Sequence, residues 1–172
     1  MVDWSEILAK HGPQVWRTTY RILRHHADAY DCYQETFLAV WKLARVRRIT
    51  EWGPLLTCLA TRKSIDRLRQ RGRVAARTES LESVPEPIGE LAEPLQAARF
   101  EELIDHLRFG ISELPEKQAE VAWLSCVEEL SHQEIAIQLE IPTGEVRVLL
   151  HRARLRLREH FAPEFTDRVE EP

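Results

Sequence analysis

The sequence predicts an all-α protein made of two small helical domains joined by a flexible linker. Glycine is scarce, with 6 residues in 172, and the good helix formers Ala, Leu, Arg and Glu dominate. Apolar residues recur at helical spacing on both sides of an acidic, proline-containing stretch at 74–94. Because that stretch holds few large apolar side chains, we expect it to be extended or disordered. The predicted domains are residues 1–73 and 95–161, followed by a tail at 162–172.

The N-terminal domain is predicted to contain four helices. Gly12 and Pro13 are expected to divide the first periodic stretch into two helices. Asp28 is a suitable N-cap for the third helix. Pro54 fits the first turn of the fourth, which is expected to end in the basic segment at 69–73.

The C-terminal domain is also predicted to contain four helices. The first extends from about Leu95 to Ser112, and the second begins at Pro115. The third begins after Ser131 and the fourth near Pro142. A tight turn joins the last two, which is typical of a helix-turn-helix.

The spacing within these last two helices supports that interpretation. Ser131 and Glu134 form a capping box, and Ala136 is the small residue needed where two helices cross closely. Four residues later the backbone is expected to be left-handed, a conformation that favours glycine. Glu140 stands there instead, which should cost about 1 kcal/mol. Val146 follows Ala136 by ten residues and is expected to hold the second helix in place.

The second helix of the motif is expected to enter the major groove of DNA. Glu can accept a hydrogen bond from cytosine, and Arg can bond guanine bidentately, whereas residues further along the helix suit phosphates. An αα-hairpin that only packs is the alternative. The candidate base contacts are Thr143, Gly144, Glu145, Arg147 and Val148, and the candidate phosphate contacts are His151, Arg152 and Arg154.

The net charge of −4 conceals a strong segregation of charge. Residues 17–73 hold 13 Lys and Arg against 5 Asp and Glu, and residues 146–158 hold 5 Arg and no acid. Residues 78–145, between them, hold 3 basic against 16 acidic side chains. Two basic segments indicate two contacts with nucleic acid; solvated helix faces are the alternative.

Several functional classes receive no support from the sequence. Cys32, Cys58 and Cys126 are odd in number and far apart, which argues against a disulfide framework and for a reducing cytoplasm. No apolar run reaches the roughly 18 residues of a membrane span, and the N-terminus lacks a secretory pattern. Metal-ligand spacing, phosphate-binding glycine loops and nucleophile motifs are missing. We therefore expect no metal, no cofactor, no enzymatic activity and no membrane insertion.

Three segments together resemble bacterial RNA polymerase sigma factors of the extracytoplasmic-function type. Residues 28–42, DAYDCYQETFLAVWK, are similar to the region 2 pattern DAEDxxQExFLxxW. Residues 55–73 resemble the next helix, WLxxIAxNxxxDxxRxxxR, although Leu55 replaces Trp and Arg62 replaces Asn. Residues 131–159 resemble the region 4 pattern LSxxEIAxxLxxPxGxVxxxLxRARxxLR. The resemblance covers about residues 3–161 in the family's order.

The resemblance implies that the first segment docks on a coiled coil of the polymerase β′ subunit. Acidic and amide side chains suit a basic helical partner, while Phe37 could equally belong to the core. The implied polymerase-binding residues are Asp28, Asp31, Gln34, Glu35, Leu38 and Trp41.

The resemblance also implies that the next helix and the loop before it engage the −10 promoter element as it melts. Aromatic and Arg side chains can stack on unpaired bases, and Lys and Arg can hold the backbone. Because Arg cannot imitate an Asn amide, we expect Arg62 to alter the −10 preference. Asp66 could instead pair with a neighbouring Arg. The implied −10 residues are Arg47, Arg48, Trp52, Arg62, Lys63, Asp66, Arg67, Arg69 and Arg73.

For the C-terminal domain, the resemblance implies recognition of the −35 element and contact with the polymerase β flap. It further implies an anti-sigma factor as a partner, and the acidic linker could mask the basic surfaces within the chain. A stand-alone helix-turn-helix regulator and a degenerate sigma-like adaptor remain the rival interpretations. The first would not explain residues 28–42, and the second would follow if Glu140 disrupted the turn.

Overall fold

The computed structural model describes residues 2–75 and 107–166, and every regular element in those ranges is an α-helix. The all-α prediction is confirmed. The helices are α1 (Trp4–Leu23), α2 (His26–Ala44), α3 (Trp52–Ala75), α4 (107–113), α5 (Glu116–Cys126), α6 (His132–Leu139) and α7 (Thr143–Thr166). Below, the N-terminal domain is α1–α3 and the C-terminal domain is α4–α7.

The first helix corrects the prediction of a break at Gly12 and Pro13. α1 is continuous and Pro13 lies inside it, so the described N-terminal domain has three helices rather than four. The missing proline N–H costs one intrahelical hydrogen bond, and packing of α1 against α2 and α3 maintains the helix. A Cβ at buried Gly12 would lie 2.9 Å from the Tyr33 hydroxyl oxygen. The glycine therefore admits close approach of α2 rather than ending α1.

Two helix boundaries also differ from the prediction. His25, not Asp28, is the N-cap of α2, and its Nδ1 accepts a hydrogen bond of 3.3 Å from the Asp28 backbone N–H. Asp28 instead lies in the first turn, where the positive end of the helix dipole stabilises a carboxylate. At the other boundary, α3 continues through the basic segment at 69–73 to Ala75.

Several predictions fall outside the described ranges. These are the linker at 74–94, apart from its first two residues, the start of the helix expected from Leu95, and most of the tail at 162–172. The described part of that helix is α4. Among the described helices, none combines the length and apolarity that crossing a membrane requires.

The C-terminal domain contains the predicted helix-turn-helix. Ser131 caps α6, its hydroxyl accepting from the Glu134 N–H while the Glu134 carboxylate accepts from the Ser131 N–H. Glu140 ends α6 in the left-handed region with φ 54°. Val146 is fully buried against Ile135 and Leu124. Glu140 therefore takes the turn conformation in spite of its side chain.

The two domains pack directly on each other, an arrangement we call the closed arrangement. One buried cluster contains Ile22 and Ile65 of the N-terminal domain together with Ile111, Leu114 and Trp123 of the C-terminal domain. A second joins Cys58 of α3 to Val121, Leu124 and Ile135. Helix α3 thus packs against α5 and α6 as well as α1 and α2. Only the third cluster, which includes Val15, Val40 and Leu56, lies wholly within the N-terminal domain.

Candidate nucleic-acid and protein interfaces

Helix α7 presents the predicted recognition face to solvent. Its buried side is formed by Val146, Leu150 and Ala153, because apolar residues at helical spacing turn one face inward. The opposite side carries seven of the eight candidate −35 residues, and Thr143 is half-buried. The exposed seven are Gly144, Glu145, Arg147, Val148, His151, Arg152 and Arg154.

Charge on this helix is arranged along its length. Glu145 lies in the first turn, 4.0 Å from Lys117 of α5. Arg156 and Arg158, which also lie on the exposed side, extend the arginine series beyond the predicted residues. The exposed side of the helix therefore carries charges of both signs at its N-terminal end, and its charged residues from 152 to 158 are all cations.

Helix α3 carries the second basic surface, and acids of α2 neutralise much of it. Arg67 lies 3.3 Å from Asp28, 3.4 Å from Glu35 and 3.9 Å from Asp31. Lys63 lies 3.3 Å from Glu35, and Arg71 adds a 3.1 Å contact with Asp28. The candidate polymerase-binding acids and candidate −10 cations therefore form one ion-pair network.

Arg62 makes the best-formed ion pair between the domains. Its Nε and Nη2 donate hydrogen bonds of 2.8 and 3.2 Å to the two carboxylate oxygens of Glu120 on α5. The Glu120 side chain is 2% exposed and that of Arg62 is 47% exposed. The hydrogen bond to Glu120 raises the pKa of Arg62. A bidentate pair with one partner buried is geometrically specific as well as strong.

Among the described residues, three more arginines make polar contacts across the same boundary. Arg69 donates to the backbone carbonyl of Leu114. Arg108 of α4 donates to the carbonyls of Ile22 (2.7 Å) and Leu23 (3.2 Å) at the end of α1, where orphan helix carbonyls need donors. The exposed Arg47 lies 3.1 Å from Glu140 in the helix-turn-helix turn.

The remaining candidate −10 residues are placed differently from one another. Trp52 is half-buried and packs edge-on against Trp4, with ring centroids 5.6 Å apart. In the closed arrangement it is part of the N-terminal core. Arg48 and Arg73 are exposed.

Asp66 lies among cations on α3, as expected, but the C-terminal domain also approaches it. Burial is the main cause that raises the pKa of Asp66, and the negative charge of Glu116 raises it further. The positive charges of Arg69, Arg62 and Lys63 lower it. Ionisation of Asp66 is therefore less favourable in the closed arrangement than it is in water.

The exposed face of α2 carries the predicted polymerase-binding residues. Asp31, Gln34, Glu35, Leu38 and Trp41 follow one another at helical spacing on that face. Leu38 is 58% exposed, and Trp41 is 42% exposed with the Arg45 guanidinium 4.9 Å from its ring centroid. Tyr30 is a third exposed apolar side chain of α2, in addition to Leu38 and Trp41. Asp28 is half-buried, and Phe37 packs against the core.

Three residues that make these ion pairs and hydrogen bonds were not predicted from the sequence. Glu120 is a single acid between Ala119 and Val121 on a buried helix face, and a charge in such a position requires a partner. This requirement could have identified Glu120 as a residue that pairs with a cation. Arg71 and Arg108 carried no distinguishing pattern.

The cysteines are free thiols. Burial raises the pKa of Cys32 to about 11 and that of Cys58 to about 12, and Glu120 contributes to the shift at Cys58. Cys126 is exposed. Within residues 2–75 and 107–166, no group of three or more His, Cys, Asp or Glu side chains could hold a metal ion.

Two family models match this chain in the order of its domains. Sigma-70 region 2 matches residues 7–74, and Sigma-70 region 4 matches residues 104–157. Together the matches span more than half of the chain. The region 2 match lies outside the part that a stand-alone helix-turn-helix regulator would explain.

Relatives of this chain are named RNA polymerase sigma factors. The chain is 30% identical to the ECF RNA polymerase sigma factor SigE of Mycolicibacterium smegmatis, over 94% of the chain but only 63% of that protein's length. It is 28% identical to the ECF RNA polymerase sigma factor SigW of Bacillus subtilis, over 91% of the chain and 87% of SigW. Identity with the RNA polymerase sigma factor CarQ of Myxococcus xanthus is 30%, over 91% of the chain and 87% of CarQ.

Solved structures share the fold. The sigma factor RpoE of Bartonella quintana, crystallised with the anti-sigma factor NepR, superposes with a TM-score of 0.59 at 20% identity, covering 91% of this chain and 95% of that one. The extracytoplasmic function sigma factor SigJ of Mycobacterium tuberculosis gives a TM-score of 0.52 at 21% identity, covering 97% of this chain and 57% of that one. Sigma factors are generally non-enzymatic regulators of transcription. The region 2 and region 4 matches and the named relatives establish that the chain belongs to the sigma-70 family and is an extracytoplasmic-function sigma factor of RNA polymerase.

Proposed function

We propose that this sigma factor binds core RNA polymerase through α2, engages the −10 element through α3 and recognises the −35 element through α7. It catalyses no reaction itself under this proposal, and it acts in the cytoplasm, where the polymerase transcribes. One observation carries the proposal. The second helix of a complete helix-turn-helix, α7, has an exposed basic face, and the same chain contains a second basic helix, α3.

The polymerase contact is assigned to the exposed side of α2. Leu38 and Trp41 supply apolar area outside any core, and exposed apolar residues rimmed by charge are typical of protein interfaces. Asp31 and Glu35 provide the acidic rim. This combination suits a basic coiled coil such as the β′ element that the family resemblance implies.

The −10 contact is assigned to α3 and the loop before it. Arg62, Lys63, Arg67 and Arg69 lie along one helix, which suits tracking of a single strand. Arg47 and Arg48 extend that cationic surface into the loop.

The −35 contact is assigned to α7. Glu145 and Arg147 are exposed near the start of the helix and would contact base edges, whereas Arg152 and Arg154 are exposed further along and would contact phosphates. The C-terminal domain would also supply the contact with the β flap.

An anti-sigma factor is the proposed regulatory partner. The RpoE neighbour was crystallised with the anti-sigma factor NepR, and a chain with two basic DNA-binding faces benefits from control before it meets the polymerase.

Reconstituted transcription tests the proposal. Core polymerase plus the full chain should initiate transcription from a defined subset of genomic promoters that core polymerase alone leaves silent. The variant Leu38→Asp should reduce binding to core polymerase by about tenfold or more, since it places a charge in an apolar contact. The matched control Leu8→Asp alters another exposed leucine, on α1 (41% exposed against 58% for Leu38), and should bind normally. Normal initiation by Leu38→Asp would exclude the α2 assignment.

A further inference from the structure

We propose that the C-terminal domain occupies the DNA-facing side of α3 in the free protein, with Glu120 taking the place of nucleic acid at Arg62. The domain and promoter −10 DNA then compete for one face. This inference rests on the proposed function of α3 and adds an occupant from within the chain, formed by residues outside the acidic linker.

The geometry at Glu120 supports this competition. A guanidinium presents two parallel N–H donors that fit carboxylate and phosphate equally well. Both carboxylate oxygens of Glu120 accept from Arg62, at 2.8 and 3.2 Å. While this pair is made, those donors are unavailable to a DNA strand. Arg69 is likewise engaged, by the Leu114 carbonyl.

The ion pair between Arg62 and Glu120 depends on a residue that departs from the family pattern. Arg62 stands where the resemblance expects an Asn, which is shorter and uncharged. An Asn could not form a bidentate ion pair with Glu120. The residue that sets this helix apart at the −10 surface therefore also joins it to α5.

The interface contains polar features that would be unfavourable in a permanent core. The Glu120 carboxylate is 2% exposed, and burying it carries a desolvation cost that opposes its ion pair with Arg62. Asp66 lies close enough to Glu116 for the two negative charges to repel. These costs reduce the free energy that DNA must overcome to separate the domains.

The two DNA faces differ in availability. In the closed arrangement the α7 face is exposed, whereas α3 packs against α5 and α6 on the side from which Arg62 reaches Glu120. Contact with −35 DNA would therefore not require opening, and contact with −10 DNA would.

Cys58 provides a native reporter of opening. It is 6% exposed and packs against Val121, Leu124 and Ile135 of the C-terminal domain. Its alkylation by N-ethylmaleimide, followed on the full chain by mass spectrometry, should be slow when the domains are closed. Exposed Cys126 serves as the internal reference.

Two variants separate opening from simple electrostatics. Glu120→Gln removes a charge that raises the pKa of Cys58, and Arg62→Gln removes one that lowers it, so their direct effects on the thiol are opposite. Both should nevertheless accelerate Cys58 alkylation, by about tenfold or more, because each breaks a pair with a buried partner. Glu113→Gln, an exposed acid of the same domain, should change it by less than about twofold. An unchanged helical circular dichroism signal would confirm folding.

Addition of DNA tests the competition itself. A random-sequence single-stranded DNA pool should accelerate alkylation of Cys58 in the wild type, and Glu120→Gln should bind the pool more tightly, because linkage is reciprocal. Acceleration in only one variant would overturn the role of the ion pair. DNA binding that leaves the Cys58 rate unchanged would overturn the competition. Failure of the proposed function would instead be seen as loss of initiation, with the response of Cys58 to both variants intact.

Discussion

Arg67 on α3 donates a hydrogen bond of 3.3 Å to the carboxylate of Asp28 on α2. A side chain assigned to DNA and one assigned to polymerase are therefore direct partners. Asp28 also contacts Arg71, so its carboxylate joins the two helices at a half-buried position. Substitutions at either surface should alter the other, and stability must be measured beside function.

Asp28→Asn should lower the free energy of unfolding by about 1 kcal/mol, because two arginines lose a partly buried charged partner. Asp31→Asn is the matched control: Asp31 is exposed and 3.9 Å from Arg67, so its effect should stay below about 0.5 kcal/mol. Urea unfolding followed by circular dichroism measures both. Equal losses from the two variants would contradict the importance given to Asp28.

Glu140→Gly should stabilise the chain by about 0.5–1 kcal/mol. Glu140 has φ 54°, where glycine avoids the Cβ penalty of a left-handed backbone, and the lost pair with Arg47 is solvent-exposed and weak. Glu140→Ala loses the same pair and keeps the Cβ, so it separates the two effects. If glycine proved no more stable than alanine in thermal unfolding, backbone strain at this turn would be ruled out.

The capping box of α6 should give a stability effect that depends on pH. Hydrogen bonds from Ser131 lower the pKa of Glu134 from its ordinary value of 4.5, so the stabilisation is complete above that pH and is lost as the pH falls below it. Ser131→Ala should cost about 1 kcal/mol at pH 7. That difference should shrink when unfolding is measured at progressively lower pH beneath 4.5. A difference independent of pH would argue against the ionised form of the box.

Asp66→Asn should stabilise the closed arrangement at neutral pH. Burial and Glu116 raise the pKa of Asp66, so the wild type is relatively more stable below the ordinary pKa of 3.8 and loses that stability as the pH rises through the raised value. The variant should therefore have the higher melting temperature at pH 7, and the gap should close in acid. A lower melting temperature for the variant at pH 7 would mean that pairing of Asp66 with its neighbouring arginines outweighs burial.

Local patterns in the sequence predicted the local structure well. The Ser131–Glu134 capping box, the left-handed Glu140 and the buried Val146 depend on contacts within a few turns of chain, and all three are confirmed. Helix α1 shows the converse: Gly12 and Pro13 favour a break, but packing against α2 and α3 maintains one helix. Tertiary contacts of that kind override local propensity.

The relationship between the domains was not predictable from local patterns. Arg62 and Glu120 are 58 residues apart, and neither helical periodicity nor charge counts indicate which acid a given arginine will contact. The exposed faces of α2 and α7 were predictable, because amphipathic spacing alone determines which side of a helix faces outward.

Selection from a randomised promoter library tests most directly the claim that two faces of one chain recognise two promoter elements. Transcripts made by core polymerase with the wild type, Arg147→Ala or Arg62→Ala would be sequenced back to their promoters. We expect Arg147→Ala to change the bases enriched at the −35 element alone, and Arg62→Ala to change those at the −10 element alone. Enrichment that is the same for all three proteins, or no enrichment with the wild type, would contradict the account.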